Sequence, residues 1–230
     1  KKYKKKKKYK KKKKYKKKFK AEKTQSETII KTKSDWINKG LVNKKEYQKK
    51  YNDSIKNNEA FWKKEGKRIT WIKPYKKIKD VKYSKTEVKI KWYEDGTLNA
   101  SANCIDRHLK NNKDKIAIIW VGDNPKDTKK ISYKQLHKEV SKTANGLKNL
   151  GIKKGDRVTI YLTMIPELAI TMLACARIGA IHSVVFGGFA SNELASRIDD
   201  SKAKLLVTAS CGFEPGRTVE YRPLVDGALK

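Results

Sequence analysis

Two glycine-containing segments in the second half of the sequence could contact an anionic ligand. Residues 186–189 read Phe-Gly-Gly-Phe, and residues 214–217 read Glu-Pro-Gly-Arg. Glycine lets a ligand approach the backbone, free amides at a helix start attract anions, and a rigid turn that projects Arg217 suits a phosphate. A tight turn without any ligand explains the paired glycines equally well. The position of both segments at predicted strand ends is what favours a site.

The segments that position these glycines read as a β-α-β-α-β unit. Apolar, β-branched runs at residues 157–162, 181–186 and 203–209 predict strands that are covered on both faces. Residues 165–180 and 191–200 have helical periodicity and are long enough for parallel crossovers. The predicted fold class is therefore α/β with a parallel sheet, and such sheets bind ligands at the carboxyl ends of their strands.

Upstream of this unit, the sequence predicts a series of short elements. Residues 36–66 indicate one or two amphipathic helices, and residues 69–72 and 88–93 indicate short strands. A helix is predicted over residues 101–110, with Asn103 as its cap. We further predict a strand at residues 115–121, a short strand at 131–133, and a helix at 134–150 that Gly151 ends. The apolar stripe of that last helix comprises Leu136, Val140, Ala144, Leu147 and Leu150.

Residues that often carry catalysis are not arranged for it in this sequence. Residues 146–151 have the glycine spacing of a phosphate loop, but they close a predicted helix instead of following a strand. His108 lies beside Arg107 on a half-buried helix, where a structural role is commoner than that of a general base. The sequence offers no Ser-His-Asp order, acid–base carboxylate pair or metal-ligand spacing. No catalytic or metal site is therefore predicted.

The charge distribution divides the sequence into a very basic part and a nearly balanced part. The formal net charge is +34, yet residues 131–230 carry 14 Lys and Arg against 9 Asp and Glu. Sixteen of the first twenty residues are Lys, a pattern that cannot form a core and is predicted to be disordered. This tail could bind nucleic acid or an anionic membrane. We favour Lys-rich usage or translated adenine-rich sequence instead, because no nucleic-acid-binding motif accompanies the tail.

The cysteines and the hydropathy indicate a protein of a reducing compartment. Cys104, Cys175 and Cys211 are odd in number and far apart, which favours free thiols over disulfides or a zinc site. No stretch is apolar over the length of a membrane helix, and the N-terminus lacks the order of a secretory signal. We therefore predict a cytoplasmic protein without a membrane partner. A start at Lys1 and an end at Lys230 within a helical pattern predict a piece of a longer protein.

Several longer motifs resemble the N-terminal part of AMP-forming acetyl-CoA synthetases, the acetate–CoA ligases. The motifs are Leu98-Asn-Ala-Ser-Ala-Asn-Cys-Ile-Asp-Arg-His-Leu109, Met164-Ile-Pro-Glu167, Met172-Leu-Ala-Cys-Ala-Arg-Ile-Gly-Ala180 and His182-Ser-Val-Val-Phe-Gly-Gly-Phe189. The resemblance covers about residues 36–230. It implies an N-terminal extension over residues 36–125 and the start of an adenylate-forming, AMP-binding domain over residues 126–230. Residues 1–35 would precede these as a Lys-rich tail and linker.

The resemblance also implies a reaction and its substrates. Acetate would react with ATP to form an acyl-adenylate and pyrophosphate, and the acyl group would then pass to coenzyme A. Mg²⁺ and the adenylation chemistry would depend on residues beyond Lys230, so that this segment alone would be inactive. The substrates would be small molecules, namely acetate or propionate, ATP and CoA. In the family, two turns contact the nucleotide end of CoA, and they match Phe186, Gly187, Gly188, Glu214, Pro215, Gly216 and Arg217.

The second turn departs from the acetyl-CoA synthetase pattern. Those enzymes usually carry Arg-x-Gly-Arg there, whereas this chain has Glu214-Pro-Gly-Arg217. Residues 189–221 look closer to the propionyl-CoA synthetase branch. Two alternative hypotheses therefore stay open: a propionate–CoA ligase, and a basic protein that binds nucleic acid without catalysis.

Overall fold

A computed structural model describes residues 31–214 and 216–230 of the chain. The predicted disordered tail and most of the predicted linker lie outside the described residues. The chain divides into two compact units between Lys56 and Asn57. Among the described residues, no helix combines the length and the hydropathy that crossing a bilayer requires.

The described part of the first unit consists of helix α1 (Ser34–Asn38) and helix α2 (Lys44–Lys56). A reciprocal cap begins α2. The Asn43 side chain accepts from the Glu46 amide, and the Glu46 carboxylate accepts from the Asn43 amide, both at 2.9 Å. Tyr47 and Tyr51 stack one turn apart, with ring centroids separated by 6.2 Å. These helices confirm the helical prediction for this segment.

The second unit begins with helix α3 (Asn58–Glu65) and an antiparallel ribbon of strands β1 (Lys79–Tyr83) and β2 (Val88–Trp92). The predicted helical region 36–66 thus contains three helices rather than one or two. β2 confirms the strand that its alternating sequence predicts. β1 is not among the predicted strands, because its sequence Lys-Asp-Val-Lys-Tyr has few apolar residues.

Residues 69–72, predicted as a strand, have no regular structure, so that prediction is wrong. A side chain satisfies the backbone here: the Thr70 amide donates to Asn103 Oδ1 and its carbonyl accepts from Asn103 Nδ2, both at 2.8 Å. Trp71 packs against Tyr75, with ring centroids 4.9 Å apart. Side-chain anchoring therefore replaces the strand ladder that the apolar residues predict.

The predicted helix over residues 101–110 is divided in two, into α4 (Ala100–Cys104) and α5 (Asp106–Asn112). Ile105 lies between them, fully buried and with a non-helical backbone. The prediction of Asn103 as the cap is wrong, because its side chain bonds to Thr70. Asn99 is the N-cap instead, and its side chain accepts an amide of the first turn of α4 at 3.0 Å.

The next elements are the antiparallel strands β3 (Ile116–Val121) and β4 (Thr128–Ser132), followed by helix α6 (Tyr133–Asn149). A capping box between Ser132 and Gln135 starts α6. Four residues of the predicted apolar stripe are buried: Leu136, Val140, Ala144 and Leu147. The fifth, Leu150, is 66% exposed because it lies past the helix end, so the stripe is wrong there. Gly151 follows with φ of +83°, which confirms it as the residue that ends the helix.

The central sheet is formed by the parallel strands β5 (Arg157–Leu162), β6 (Ile181–Phe186) and β7 (Leu205–Thr208) in the order β6-β5-β7. The crossover helices are α7 (Pro166–Ile178) and α8 (Ser191–Ser201). Val158, Ile160 and Leu162 belong to one buried cluster with residues of α6 and α7, while Tyr161 belongs to another with Leu194 of α8. The predicted β-α-β-α-β order and the α/β fold class are therefore confirmed.

Coverage of all three strands on both faces was too broad a prediction. Only β5, at the centre, is buried along almost its whole length. Ile181, Val184 and Phe186 of β6 are exposed. Since β6 forms an edge of the described sheet, neighbouring elements cover it only in part.

After β7 the chain forms the antiparallel hairpin β8 (Cys211–Glu214) and β9 (Arg217–Glu220), and then helix α9 (Tyr221–Ala228). The strands of this hairpin are not among the predicted elements. Tyr221 and Val225 of α9 are buried in the cluster that contains Tyr161. The hairpin and α9 therefore lie over the same face of the sheet as α8.

Candidate functional site

The turn after β6 presents an aromatic ring beside a cation. Its first residue, Phe186, is 68% exposed, and the Phe189 amide closes the turn by donating to the Phe186 carbonyl at 3.1 Å. The two rings meet edge to face with centroids 5.7 Å apart. The Arg197 guanidinium of α8 lies 4.4 Å from the centroid of the Phe189 ring. Arg197 also pairs with the Glu193 carboxylate at 2.8 Å. The end of β6 thus offers the accessible ring of Phe186, with a guanidinium nearby that already has a carboxylate partner.

Packing inside the chain explains Gly187 of this turn, whereas a Cβ atom on Gly188 would meet only the exposed ring of Phe186. Neither Gly187 nor Gly188 has a positive φ. A Cβ atom on Gly187 would lie 2.4 Å from the Tyr221 hydroxyl oxygen, and one on Gly188 would lie 2.6 Å from the Phe186 ring. Both distances are too short for a carbon atom, so a side chain at either position would displace its neighbour. Gly187 in particular makes room for a tyrosine of this chain.

The hairpin after β7 approaches the same tyrosine. A Cβ atom on Gly212 would lie 3.0 Å from the Tyr221 hydroxyl oxygen and 2.6 Å from the methyl group of Thr163, which follows β5. The Leu162 carbonyl at the end of β5 lies 3.2 Å from the position of a Cβ on Gly187. The turn after β6 and the hairpin after β7 therefore meet at the hydroxyl group of Tyr221, close to the carboxyl end of β5.

Arg217 lies at the tip of this hairpin. It begins β9 opposite Glu214, two residues along the ladder from Gly212, which is a distance of about 7 Å. Gly216 precedes it with φ of +78°, a left-handed conformation that favours glycine. The Arg217 side chain is exposed. The predicted contact residue Pro215 lies outside the described residues.

Tyr161, Tyr221 and Arg197 are part of this arrangement and are absent from the predicted site. The Tyr161 hydroxyl lies 2.6 Å from the Phe189 carbonyl and 3.2 Å from the Gly187 carbonyl, so it reaches directly beneath the turn. Burial raises the pKa of Tyr161 and keeps its hydroxyl protonated as a donor. A tyrosine within a strand of aliphatic residues was the available signal, because a buried phenol needs a polar partner.

This end of the sheet has the chemistry of a binding site. An exposed aromatic ring can stack on a planar base, and guanidinium groups can hold phosphate oxygens. Within residues 31–214 and 216–230, no group of three or more His, Cys, Asp or Glu residues is placed to hold a metal ion. His108 of α5 lies apart from these turns, with its ring centroid 5.1 Å from that of Tyr133.

Comparison with known proteins identifies the family of this chain. A family model described as "AMP-binding enzyme" matches residues 105–228, more than half of the chain. The chain belongs to this family. A second family model, described as "Acetyl-coenzyme A synthetase N-terminus", matches residues 47–104. Together they confirm the resemblance to the N-terminal part of the acetyl-CoA synthetases.

Curated relatives agree with the family models. Proteins named "Acetyl-coenzyme A synthetase" from Shewanella sp. (strain MR-4) and Shewanella pealeana (strain ATCC 700345 / ANG-SQ1) are each 50% identical to this chain, over 205 and 204 residues. These alignments cover 89% of this chain and 32% or 31% of the relative. The chain therefore spans about a third of the length of these relatives.

The two matched regions are joined by a polar cluster. Asn99, in the synthetase N-terminus region, donates from Nδ2 to the Arg177 carbonyl of the AMP-binding region at 2.9 Å. The Arg177 guanidinium makes two hydrogen bonds to the Asp106 carboxylate, at 2.8 and 2.7 Å, and lies 3.1 Å from Nε2 of His137. These hydrogen bonds, together with the charge of Arg177, lower the pKa of Asp106, and in turn they raise the pKa of Arg177. This cluster therefore connects α4 and α5 to the end of α7.

Proposed function

We propose that this chain forms the N-terminal region of an ATP-dependent, AMP-forming short-chain acyl-CoA ligase. In the proposed reaction, the carboxylate of the acid displaces pyrophosphate from ATP, which gives an acyl-adenylate. The thiol of coenzyme A then displaces AMP and forms the thioester. The family match and the shared name of the curated relatives support this proposal. We assign residues 36–125 to the N-terminal extension and residues 126–230 to the start of the AMP-binding domain.

Within this ligase, we assign CoA binding to the two turns at the carboxyl end of the sheet. The convergence of the glycine turn and the hairpin on Tyr221 is the observation that carries this assignment. The nucleotide end of CoA combines an adenine ring with phosphates. The exposed ring of Phe186 suits the base, and Arg217 suits a phosphate. The contact residues are then Phe186, Gly187, Gly188, Glu214, Pro215, Gly216 and Arg217.

The acyl substrate of the proposed reaction is acetate or propionate. Acetate is proposed because the relatives are named acetyl-coenzyme A synthetase. Propionate is proposed because residues 189–221 resemble the propionyl-CoA synthetase branch. Within the described residues, no group of three or more His, Cys, Asp or Glu side chains is placed to hold Mg²⁺. This chain contributes CoA binding and orientation to the proposed reaction.

The assignment is tested by titrating the 230-residue chain with CoA in a calorimeter. Since a charge-assisted hydrogen bond to phosphate contributes about 1.5–3 kcal/mol, Arg217→Ala should weaken CoA binding by about ten- to a hundredfold. Pantetheine, which lacks the nucleotide, should not bind measurably. Arg222→Ala is the matched control, because Arg222 pairs with Asp226 on the exposed side of α9. Its CoA affinity should equal that of the unmodified chain.

Two results would contradict the assignment. Equal CoA affinities for Arg217→Ala and the unmodified chain would remove Arg217 from the site, and tight binding of pantetheine would remove the nucleotide contact. In the complete ligase, Arg217→Ala should raise the KM for CoA and leave pyrophosphate exchange, measured without CoA, unchanged. Loss of both activities to the same degree would indicate a structural role.

A further inference from the structure

Two tyrosines from distant parts of the sequence form a stacked pair beneath both turns. Tyr161 lies in the middle strand β5 and Tyr221 begins α9, and they are 0% and 3% exposed. Their ring centroids are 4.9 Å apart with an angle of 28° between the ring planes. Neither residue was singled out by the sequence, and neither reaches the surface. Any role in ligand binding must therefore be exerted through the groups that they contact.

Tyr161 holds the glycine turn from below. Its hydroxyl carries one proton, which is directed mainly at the Phe189 carbonyl at 2.6 Å and lies within reach of the Gly187 carbonyl at 3.2 Å. These two carbonyls belong to the turn after β6. A phenylalanine would fill the same volume but could not donate this hydrogen bond. The hydroxyl thus ties the turn after β6 to the rigid centre of the sheet.

Tyr221 separates the two turns and sets their spacing. Its hydroxyl oxygen lies between the two segments. A Cβ atom added to Gly187 would be 2.4 Å from this oxygen, and a Cβ atom added to Gly212 would be 3.0 Å from it. Only glycine at both positions lets the turn and the hairpin approach the tyrosine this closely. A shift of Tyr221 would therefore move both segments, and Arg217 at the hairpin tip would move with Gly212.

We propose that Tyr161 and Tyr221 are positioning residues that fix the glycine turn and the Arg217 hairpin in one arrangement for a nucleotide ligand. The inference rests on the proposed binding of CoA at these turns. A ligand that contacts Phe186 with its base and Arg217 with a phosphate needs both at a set separation. The tyrosine pair supplies that separation without touching the ligand, so its loss should lower affinity while the sheet stays folded.

The first test is Tyr161→Phe in the 230-residue chain, which keeps the stacked ring and removes the hydroxyl. Since one such hydrogen bond contributes about 0.5–1.5 kcal/mol, we expect hydrogen exchange at the Phe189 amide to accelerate about two- to twelvefold. CoA affinity should fall by a similar factor. Tyr83→Phe is the control, because Tyr83 is exposed on β1, remote in sequence from both turns. It should change neither quantity.

The second test is a double-mutant cycle between Gly187→Ala and Tyr221→Phe. Gly187→Ala should weaken CoA binding at least tenfold, because the new methyl group displaces the Tyr221 hydroxyl. Removal of that oxygen leaves the ring carbon Cζ, 3.3 Å from the new Cβ, as the nearest atom of the ring. The double variant should therefore recover most of the lost affinity. Recovery would also show that the methyl group does not itself exclude the ligand.

The outcomes separate this inference from the function on which it rests. If the unmodified chain does not bind CoA, the proposed CoA site fails, and the exchange rates still test the tyrosine pair. Unchanged exchange at Phe189 in Tyr161→Phe would overturn the role of Tyr161. Absence of rescue in the double variant, seen either in CoA affinity or in the exchange rates of residues 187–189, would overturn the role of Tyr221.

Discussion

The two ends of the parallel sheet are built from different interactions. At the amino end, charged side chains bind backbone carbonyls: Arg157 donates to Ser201 and Lys202 at 2.9 and 3.1 Å, and Lys204 donates to Gly151 at 2.9 Å. At the carboxyl end, the contacts are those of the stacked tyrosines with glycines and turn carbonyls. Charged side chains thus hold the amino end together, whereas close packing of tyrosines against glycines holds the carboxyl end together.

This difference separates stability from binding. Arg157, Asp156 and Lys204 at the amino end all bond within the chain, as when the Asp156 carboxylate accepts from the Lys153 amide and from Lys204 Nζ. These two donors also lower the pKa of Asp156. At the carboxyl end, the tyrosines support the turns from inside and leave Phe186 exposed. We therefore expect substitutions at the amino end to affect folding, and those at the carboxyl end to affect ligand affinity.

The largest effect on stability is expected for Arg177→Ala, at the end of α7 that lies beside the amino ends of the strands. The substitution removes both hydrogen bonds to Asp106 and leaves a partly buried carboxylate without its counter-charge. After allowance for solvent screening, the expected loss is about 2 kcal/mol, or a melting temperature lower by about 4–8 °C. Thermal unfolding followed by circular dichroism measures the change.

Arg222→Ala, in the exposed pair with Asp226, should change stability by less than about 0.5 kcal/mol and provides the comparison. CoA affinity of Arg177→Ala should be unchanged at a temperature where the variant is folded. A marked loss of affinity would mean that the two ends of the sheet are coupled rather than separate.

A smaller loss is expected for Gly179→Ala, directly after α7. Gly179 has φ of +76°, and a Cβ atom there would lie 3.0 Å from the Lys154 side chain. A left-handed conformation costs an L-residue roughly 1–2 kcal/mol, which chemical denaturation would detect. Gly146→Ala is the matched control within α6, where a Cβ atom meets nothing within 4 Å. It should stabilise the protein by about 0.5–1 kcal/mol, so the two alanines should act in opposite directions.

The central sheet was the part of the fold most accessible from the sequence. β5 and β6 have the predicted bounds, because each is a six-residue segment rich in β-branched and aromatic residues between turn residues. Residues 69–72 are equally apolar, yet Asn103 satisfies the backbone there. Apolar composition alone does not distinguish a strand from a loop that side chains anchor. That distinction depends on a partner more than thirty positions away.

The placement of the two glycine-containing turns after β6 and β7 was predictable from the sequence, but the contacts that hold these turns were not. Glycine at residue 187 was visible in the sequence, and its reason was not, because the atom that requires it belongs to Tyr221. The sequence interpretation explained Gly187 by a ligand alone, and the structure adds that a Cβ atom there would meet the Tyr221 hydroxyl of the same chain. Only Gly216 has a purely local reason, namely its positive φ. The tyrosine pair follows from tertiary contacts, which no local pattern encodes.

A pH-dependent effect should accompany the Arg177 cluster. The folded pKa of Asp106 is lowered, so the unfolded chain binds more protons than the folded chain in acid. The stabilisation by this pair is therefore fully present above the unfolded pKa of about 3.9 and is lost as the pH falls through the folded value. We expect Asp106→Asn to unfold at lower urea than the unmodified chain at neutral pH, and the two midpoints to converge as the pH falls through the lowered pKa of Asp106. A constant difference between the midpoints would mean that charge is not the source of the stabilisation.

The last prediction needs no substitution, because the reactivity of the three free cysteines reports on the two ends of the sheet. Cys175 of α7 is buried, and burial raises its pKa to about 11, so about one thiol in ten thousand is ionised at pH 7. Cys211, in the hairpin at the carboxyl end, is half-buried, and Cys104 is exposed. Alkylation by iodoacetamide, followed by peptide mass spectrometry, should therefore proceed in the order Cys104, Cys211, Cys175. In denaturant the three rates should become similar.

Alkylation rates measured with and without CoA connect this experiment to the proposed CoA site. If the nucleotide rests against the hairpin, CoA should slow the alkylation of Cys211 several-fold and leave the rate at Cys104 unchanged. Cys175 should stay unreactive in both conditions, because access to it requires α7 to leave the sheet. Equal native rates for Cys175 and Cys211 would show that the amino end opens as readily as the carboxyl end. The assignment of stability to the amino end and of ligand binding to the carboxyl end would then be wrong, whatever the affinity for CoA.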